Sequence, residues 1–190
     1  MLVGVLALQG DFEAHARVLR ELGAEVREVR TPAGLEGLDG LVMPGGESTT
    51  MTLSIAREGL AEPLRALVAS GTPTLGTCAG MIMLDSEHLG LLDVRARRNA
   101  FGRQLASFET DLALGALSNG DGPLRAVFIR APWVEQHGDG VEVLAELEGH
   151  PVAVREGDVI AVAFHPELSG DARLHEWLLE RIRQREGNRS

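Results

Sequence analysis

The chain has 190 residues, 44% of them hydrophobic, with 28 acidic against 18 basic side chains and a formal net charge of −10. That is enough apolar material for one core, and the wrong sign for a nucleic-acid-binding face. All 18 bases are arginine, so a Walker-type phosphate loop, protein-kinase chemistry and a lysine Schiff base are excluded.

Leu2 to Leu8 is an apolar run, about half the length of a spanning helix and without a basic flank or cleavage site, so it reads as a buried strand rather than a targeting segment. The expected location is the cytoplasm. Phe12, Ala16, Leu19 and Leu22 then recur at helical spacing, and Gly23 stops the helix. Glu25 to Val29 and Gly40 to Met43 read as two further strands, the second ended by Pro44-Gly45-Gly46. Leu60, Leu64, Leu67 and Val68 mark a helix, Thr74 to Thr77 a fourth strand, and Met81 to Leu84 a helical run.

Strands alternating with helices predict βαβ units and a mostly parallel sheet flanked by helices. From Leu91 the texture becomes strand-rich, with extended runs expected at Leu105 to Leu112, Ala126 to Ile129, Val141 to Leu147, Val152 to Arg155 and Val159 to Phe164. A last helix carries Leu174, Trp177, Leu178 and Ile182 on one face. The prediction is a single flavodoxin-like α/β domain over residues 1–186, with a frayed tail at 187–190.

Three clusters can carry chemistry, each at an expected strand end. Gly76-Thr77-Cys78-Ala79-Gly80 is a nucleophile-elbow pattern with sulfur in place of oxygen. The following helix start favours a thiolate and frees the Ala79 amide for an oxyanion. The competing reading is a small buried cysteine; as the only one, Cys78 can form no internal disulfide. In Phe164-His165-Pro166-Glu167, proline predicts an extended His165, so that His165 and Glu167 project to one side as base and orienting carboxylate. Pro44-Gly45-Gly46-Glu47-Ser48-Thr49-Thr50 offers the Gly46 amide as a second oxyanion donor. Its competing reading is a tight turn with Ser48 or Thr49 capping the next helix. His15, His88, His137, His150 and His175 read as surface or loop histidines, and neither a metal site nor a cofactor is expected.

Together with Gly4 to Gly10, Arg98 to Arg103 and Phe128 to Pro132, these strings occur in an order that resembles the glutaminase-subunit family of pyridoxal 5′-phosphate synthase, which are triad-type glutamine amidotransferases. The resemblance runs from about residue 3 to residue 180. It implies an amide hydrolase that converts L-glutamine to glutamate and ammonia and feeds the ammonia to a separate synthase subunit. On this resemblance Cys78, His165 and Glu167 form the triad, and Gly46, Glu47, Ser48, Arg98, Ile129 and Arg130 fall where the family binds glutamine. Arg98 is expected to pair with the substrate α-carboxylate. Arg97, Ala100 and Trp133 depart from the residues usual in the family. Two other readings stand beside it: a triad amidotransferase serving a different acceptor synthase, and a non-catalytic module of the same fold that docks a partner.

Overall fold

The structure is a computed structural model and describes residues 1–102, 107–117 and 122–187. Its first half alternates strand and helix: β1 (Leu2–Leu6), α1 (Phe12–Glu21), β2 (Glu25–Val29), β3 (Gly40–Met43), α2 (Ser48–Arg57), α3 (Ala61–Ala69), β4 (Thr74–Thr77) and α4 (Ala79–Leu84). The second half is strand-rich: β5 (Val94–Arg97), β6 (Ser107–Leu112), β7 (Leu124–Ile129), β8 (Trp133–His137), β9 (Glu142–Leu147), β10 (His150–Glu156) and β11 (Val159–Val162). Two helices close the chain, α5 (Pro166–Ser169) and α6 (Arg173–Gly187).

Seven strands form one sheet in the order β2-β1-β3-β4-β11-β10-β9. The first five are parallel, and β10 and β9 continue the sheet antiparallel. Every residue of β3, β4 and β11 is buried, as expected of strands covered on both faces, and their sequences read as continuous apolar or small-residue runs for that reason. The α/β reading of the first half therefore holds. Boundaries move by a few residues: β1 ends at Leu6 instead of Leu8, and β11 at Val162 instead of Phe164. The first two positions of the run expected from Leu105, and the tail beyond Gly187, lie outside the described residues; Gly187 itself ends α6.

Alternation along the strands assigns the layers. Gly40 on β3 lies under Ile182 of α6, whereas Gly76 on β4 lies under Leu84 of α4. Met43 is the register partner of Gly76. Gly40 and Met43 are three apart and so face opposite ways. Helix α6 thus covers one face and α4 the other. Helix α1 joins α6, since His15 and His175 meet at 2.9 Å.

Two short pairs, β5 with β8 and β6 with β7, sit outside the main sheet. Phe128 of β7 stacks on Phe108 of β6 at 4.7 Å and meets Phe164 at 5.6 Å. The His165 amide donates to Val127 O at 2.8 Å. Aromatic packing and this hydrogen bond hold the end of β7 over the carboxyl end of the sheet. The carboxyl ends of β1, β3, β4 and β11 all open on that edge, and the order reverses between β1 and β3, the place where open α/β sheets bind their ligands.

Candidate active site

Cys78 leaves β4 with φ 48° and ψ −107° and stands as the N-cap residue of α4. Non-glycine residues seldom adopt a positive φ. Four do so among the described residues, and three of them, Cys78, Asn99 and Arg130, line one cleft. Backbone strain concentrated at one place marks a site the surrounding fold has over-determined. The Cys78 amide donates to Val162 O at 2.8 Å, which ties the elbow to β11. Gly80 allows the turn: a Cβ there would lie 1.9 Å from Met43 O. Gly45 is pinned in the same way, since a Cβ on it would lie 2.5 Å from His165 Cε1 and 3.3 Å from Cys78 Cβ.

The cleft has a volume of about 240 Å³. Cys78, Ala79, Gly46, Glu47, Ser48, Arg98, Ile129, Arg130 and His165 all line it, so those residues singled out from the sequence are brought to one place. Glu167 lies behind His165 with its side chain fully buried. His165 Nδ1–H donates to Glu167 Oε1 at 2.7 Å, because an ionised carboxylate can only accept. That leaves Nε2 as the nitrogen free to exchange a proton. Asp11, half-exposed, places Oδ2 3.6 Å from the same Nδ1.

The contact between His165 and Glu167 arises differently from the expected extended run. Pro166 is the first residue of α5, His165 is its N-cap residue with φ −109° and ψ 87°, and Glu167 sits in the first helical turn. Proline is pre-organised for a helix start, and here that preference prevails over continuation of the strand.

The electrostatics follow from burial and neighbours. Burial alone would depress His165, but its hydrogen bonds and charge interactions with Cys78 and Glu167 outweigh that and raise it to about 10. Burial likewise pushes Glu167 up, and the His15 and His165 imidazoles more than offset it, holding the carboxyl at about 2. An imidazolium beside a carboxylate is thus the resting arrangement at neutral pH.

Two of the five histidines read as surface or loop residues are neither. His15 and His175 are completely buried. His15 Nε2 lies 3.1 Å from Glu167 Oε2 and 3.1 Å from Thr77 Oγ1, and Nδ1 lies 2.9 Å from His175 Nε2. A signal was present: His15 falls three residues after Phe12 and four before Leu19, and His175 three before Leu178, both on the apolar stripes of their helices. Gln9, Asp11, Ile82, Asn99 and Pro132 also line the cleft; Gln9, Asn99 and Pro132 lie within the strings that carry the resemblance, whereas Asp11 and Ile82 carried no mark in the sequence.

At the cleft mouth, Glu47 rather than Ser48 or Thr49 caps α2, accepting from the Thr49 and Thr50 amides at 3.1 and 2.8 Å. The Thr50 amide and hydroxyl, followed by the Thr49 amide, pull its carboxyl down to about 2. Arg98 donates to Glu47 Oε1 at 3.0 Å and to Thr49 Oγ1 at 3.1 Å. The guanidinium expected to meet a substrate carboxylate is therefore held at the rim by a carboxylate of the chain itself. The Glu47 amide donates to Gln9 Oε1 at 3.1 Å, which fixes the peptide that follows Gly46. Asp11, His165 and Glu167 bring three donor atoms within 4.8 Å of one another, the one such group of histidine, cysteine and acidic side chains among the described residues. The 2.7 Å hydrogen bond already occupies two of them.

The model of the SNO glutamine amidotransferase family matches residues 5–184. The chain is 54% identical over 195 residues to pyridoxal 5′-phosphate synthase subunit PdxT of Parafrankia sp. (strain EAN1pec), covering 97% of this chain and 95% of the relative. It is 52% identical over 195 residues to the subunit of the same name from Corynebacterium jeikeium (strain K411), covering 97% and 98%. A crystal structure of a glutamine amidotransferase superposes with a TM-score of 0.87 at 48% identity, over 95% of this chain and 98% of the other.

Proposed function

Because the chain belongs to the SNO glutamine amidotransferase family, we propose that it hydrolyses L-glutamine to L-glutamate and ammonia, with Cys78, His165 and Glu167 as the triad, and passes the ammonia to the synthase subunit of pyridoxal 5′-phosphate synthase. The observation that carries the reading is the strained Cys78 elbow facing a buried, carboxylate-anchored His165 in one cleft. The family's name supports the substrate, and the names of the relatives support the partner.

The steps follow from the groups available. The Cys78 thiolate attacks the side-chain carboxamide carbon of glutamine, and the amides of Ala79 and Gly46 receive the oxyanion. The protonated His165 gives its Nε2 proton to the departing nitrogen, so the C–N bond breaks and ammonia leaves a glutamyl thioester on Sγ. The now neutral His165 takes a proton from water; the hydroxide adds to the thioester, and Cys78 leaves as the thiolate with His165 protonated again. Glu167 fixes the ring throughout and offsets the imidazolium charge. The substrate sits against Glu47, Ser48, Ile129 and Arg130. Its α-carboxylate draws Arg98 from Glu47, freeing Glu47 to meet the α-ammonium group.

Ammonia release has to be coupled to its use, and the carboxyl edge of the sheet is where a partner would receive it. Leu53 of α2 and Leu168 of α5, 66% and 45% exposed, are the large apolar side chains left uncovered among the described residues, and both lie on helices that start beside the cleft. This supports docking on that edge. No helix of the described residues is long and apolar enough to cross a membrane, and a lone free thiol suits the reducing cytoplasm, where the reaction belongs on this reading.

The test is glutamate release from L-glutamine by the chain alone and with the synthase subunit added. Activity should appear or rise strongly with the synthase, since on this reading the partner completes the setting of the Gly46 amide as second oxyanion donor, and one such donor is worth roughly 100- to 1,000-fold. Full activity in the chain alone would remove that coupling. No release in either mixture would turn the assignment toward another acceptor enzyme or a binding module.

A further inference from the structure

Behind the triad lies a second row of buried polar side chains for which the reaction as described has no use. His15 comes from α1, Thr77 from the last position of β4 and His175 from α6, and all three are fully or almost fully buried. Apolar residues would fill the same space at less cost in desolvation. Their contacts converge on one group: His15 Nε2 stands 3.1 Å from the far oxygen of Glu167, the one that His165 does not use.

We propose that His15 is a positioning residue for the glutaminase reaction, pinning the Glu167 carboxylate against His165 from behind, and that His175 fixes the tautomer in which His15 can do so. The inference rests on the Cys78–His165–Glu167 reading above and adds residues to it.

The proton inventory gives the direction. A carboxylate accepts only, so His15 must turn an Nε2–H rather than a lone pair toward it; the hydrogen bond itself goes to Thr77 Oγ1 at 3.1 Å, and Glu167 Oε2, also 3.1 Å away, lies beside that N–H as an electrostatic contact with no hydrogen bond of its own among the described residues. A neutral His15 protonated on Nε2 has a bare Nδ1, which needs a donor. His175 Nε2 lies 2.9 Å away and supplies one. Burial, the largest cause, holds His175 at about 3 and hence neutral, and the bare Nδ1 of His15 2.9 Å away selects the tautomer with the proton on Nε2. Its Nδ1, buried and without a partner among the described residues, is then a bare lone pair rather than an orphaned N–H. Each nitrogen of the chain from His175 through His15 to Glu167 thereby has a defined role.

The need for a pin is visible on the other side of His165. Asp11 Oδ2 stands 3.6 Å from His165 Nδ1, close enough to compete for the proton if Glu167 swings away. The titratable groups around the Glu167–His165 pair are Asp11 before α1, His15 on α1, Cys78 on the elbow and His175 on α6. Of these, His15 alone touches the second oxygen of Glu167 among the described residues.

The experiment compares His15→Leu and His15→Gln with wild type in the complex with the synthase, following kcat, KM and the pH profile of kcat/KM. His15→Leu should lower kcat by about 10- to 100-fold, the range for removing a group that orients a reactive one, with KM within about twofold. Its acid limb should move up by about one pH unit, because burial of Glu167 is then offset by His165 alone. His15→Gln, which keeps an N–H donor, should restore most of both. Wild-type kcat and acid limb in His15→Leu overturn the proposal, as does a fall in melting temperature with the acid limb unmoved, or equal loss in the two variants. Should His15→Leu fail to fold, nitrogen NMR on histidine-labelled wild type decides: Nε2 protonated and Nδ1 accepting supports the proposal, and a bare Nε2 overturns it. Loss of activity in wild type itself would instead sink the glutaminase reading, so the two failures are distinct.

Discussion

Cys78→Ala should abolish glutamate release, by roughly 10⁴- to 10⁶-fold in kcat, the range for removing a nucleophile that works as one unit with its base. Among the described residues no other side chain is placed to substitute. The chain has one cysteine and no lysine or tyrosine, and the one hydroxyl side chain lining the cleft, Ser48, lies on the α2 side rather than on the elbow. The change removes one buried sulfur and leaves the elbow geometry with a residue no larger than before, so the fold should survive. The assay is glutamate release in the complex, with circular dichroism as the control for folding. Retained turnover in a folded Cys78→Ala protein would place the chemistry elsewhere.

Glu167→Gln should cost about 10⁴-fold in kcat, the scale set when the orienting carboxylate of a triad becomes an amide. The reason is specific to this site. His15 presents an N–H to one side of position 167, so the amide oxygen settles there and the NH2 group faces His165 Nδ1. His165 is then forced to carry its proton on Nε2, the wrong nitrogen for a base facing Cys78. The same substitution has a pH signature. Glu167 is held at about 2 against an ordinary 4.5, so its contribution to stability is complete above 4.5 and is lost as pH falls toward 2. His165 is raised to about 10 against an ordinary 6.5, so its contribution is complete below 6.5 and is lost as pH rises through 10. In Glu167→Gln the acid loss should flatten and the alkaline loss should begin at lower pH. Melting temperature followed from pH 3 to pH 10 reads both, and an unchanged profile would contradict the coupling between the two side chains.

Much of this site can be read from the sequence because its backbone demands are local. Gly76 and Gly80 flank Cys78 because side chains there would strike α4 and the β3 carbonyl, so the elbow leaves its mark within five residues. The parallel strands are equally plain, since burial on both faces makes them unbroken apolar runs. The pairing of His165 with Glu167 is legible as composition but not as geometry. Pro166 is compatible with either an extended run or a helix start, and only the tertiary setting chooses the second. The short β5–β8 pair leaves almost no signal, because its residues are half-exposed and carry charges among apolar positions.

What the sequence hides is lateral. Nothing in residues 12–21 or 173–187 says that α1 and α6 lie side by side, yet that adjacency joins His15, which reaches Glu167, to His175. A histidine on an apolar stripe is visible; the partner 160 residues away that satisfies it is not. The role of Glu47 was hidden for a related reason. An acidic residue before Ser-Thr-Thr competes with three better-known capping residues, and its pairing with Arg98 spans 51 positions.

The most direct test of the central claim is to look for the glutamyl thioester. The complex is mixed with L-glutamine, quenched in acid within the first turnovers and digested, and the Cys78 peptide is weighed. A peptide heavier by glutamine less ammonia, present in wild type and absent in Cys78→Ala, is the expected result. Glutamate formation with an unmodified Cys78 peptide at every quench time, or the adduct on another residue, would contradict the assignment of Cys78 as the nucleophile.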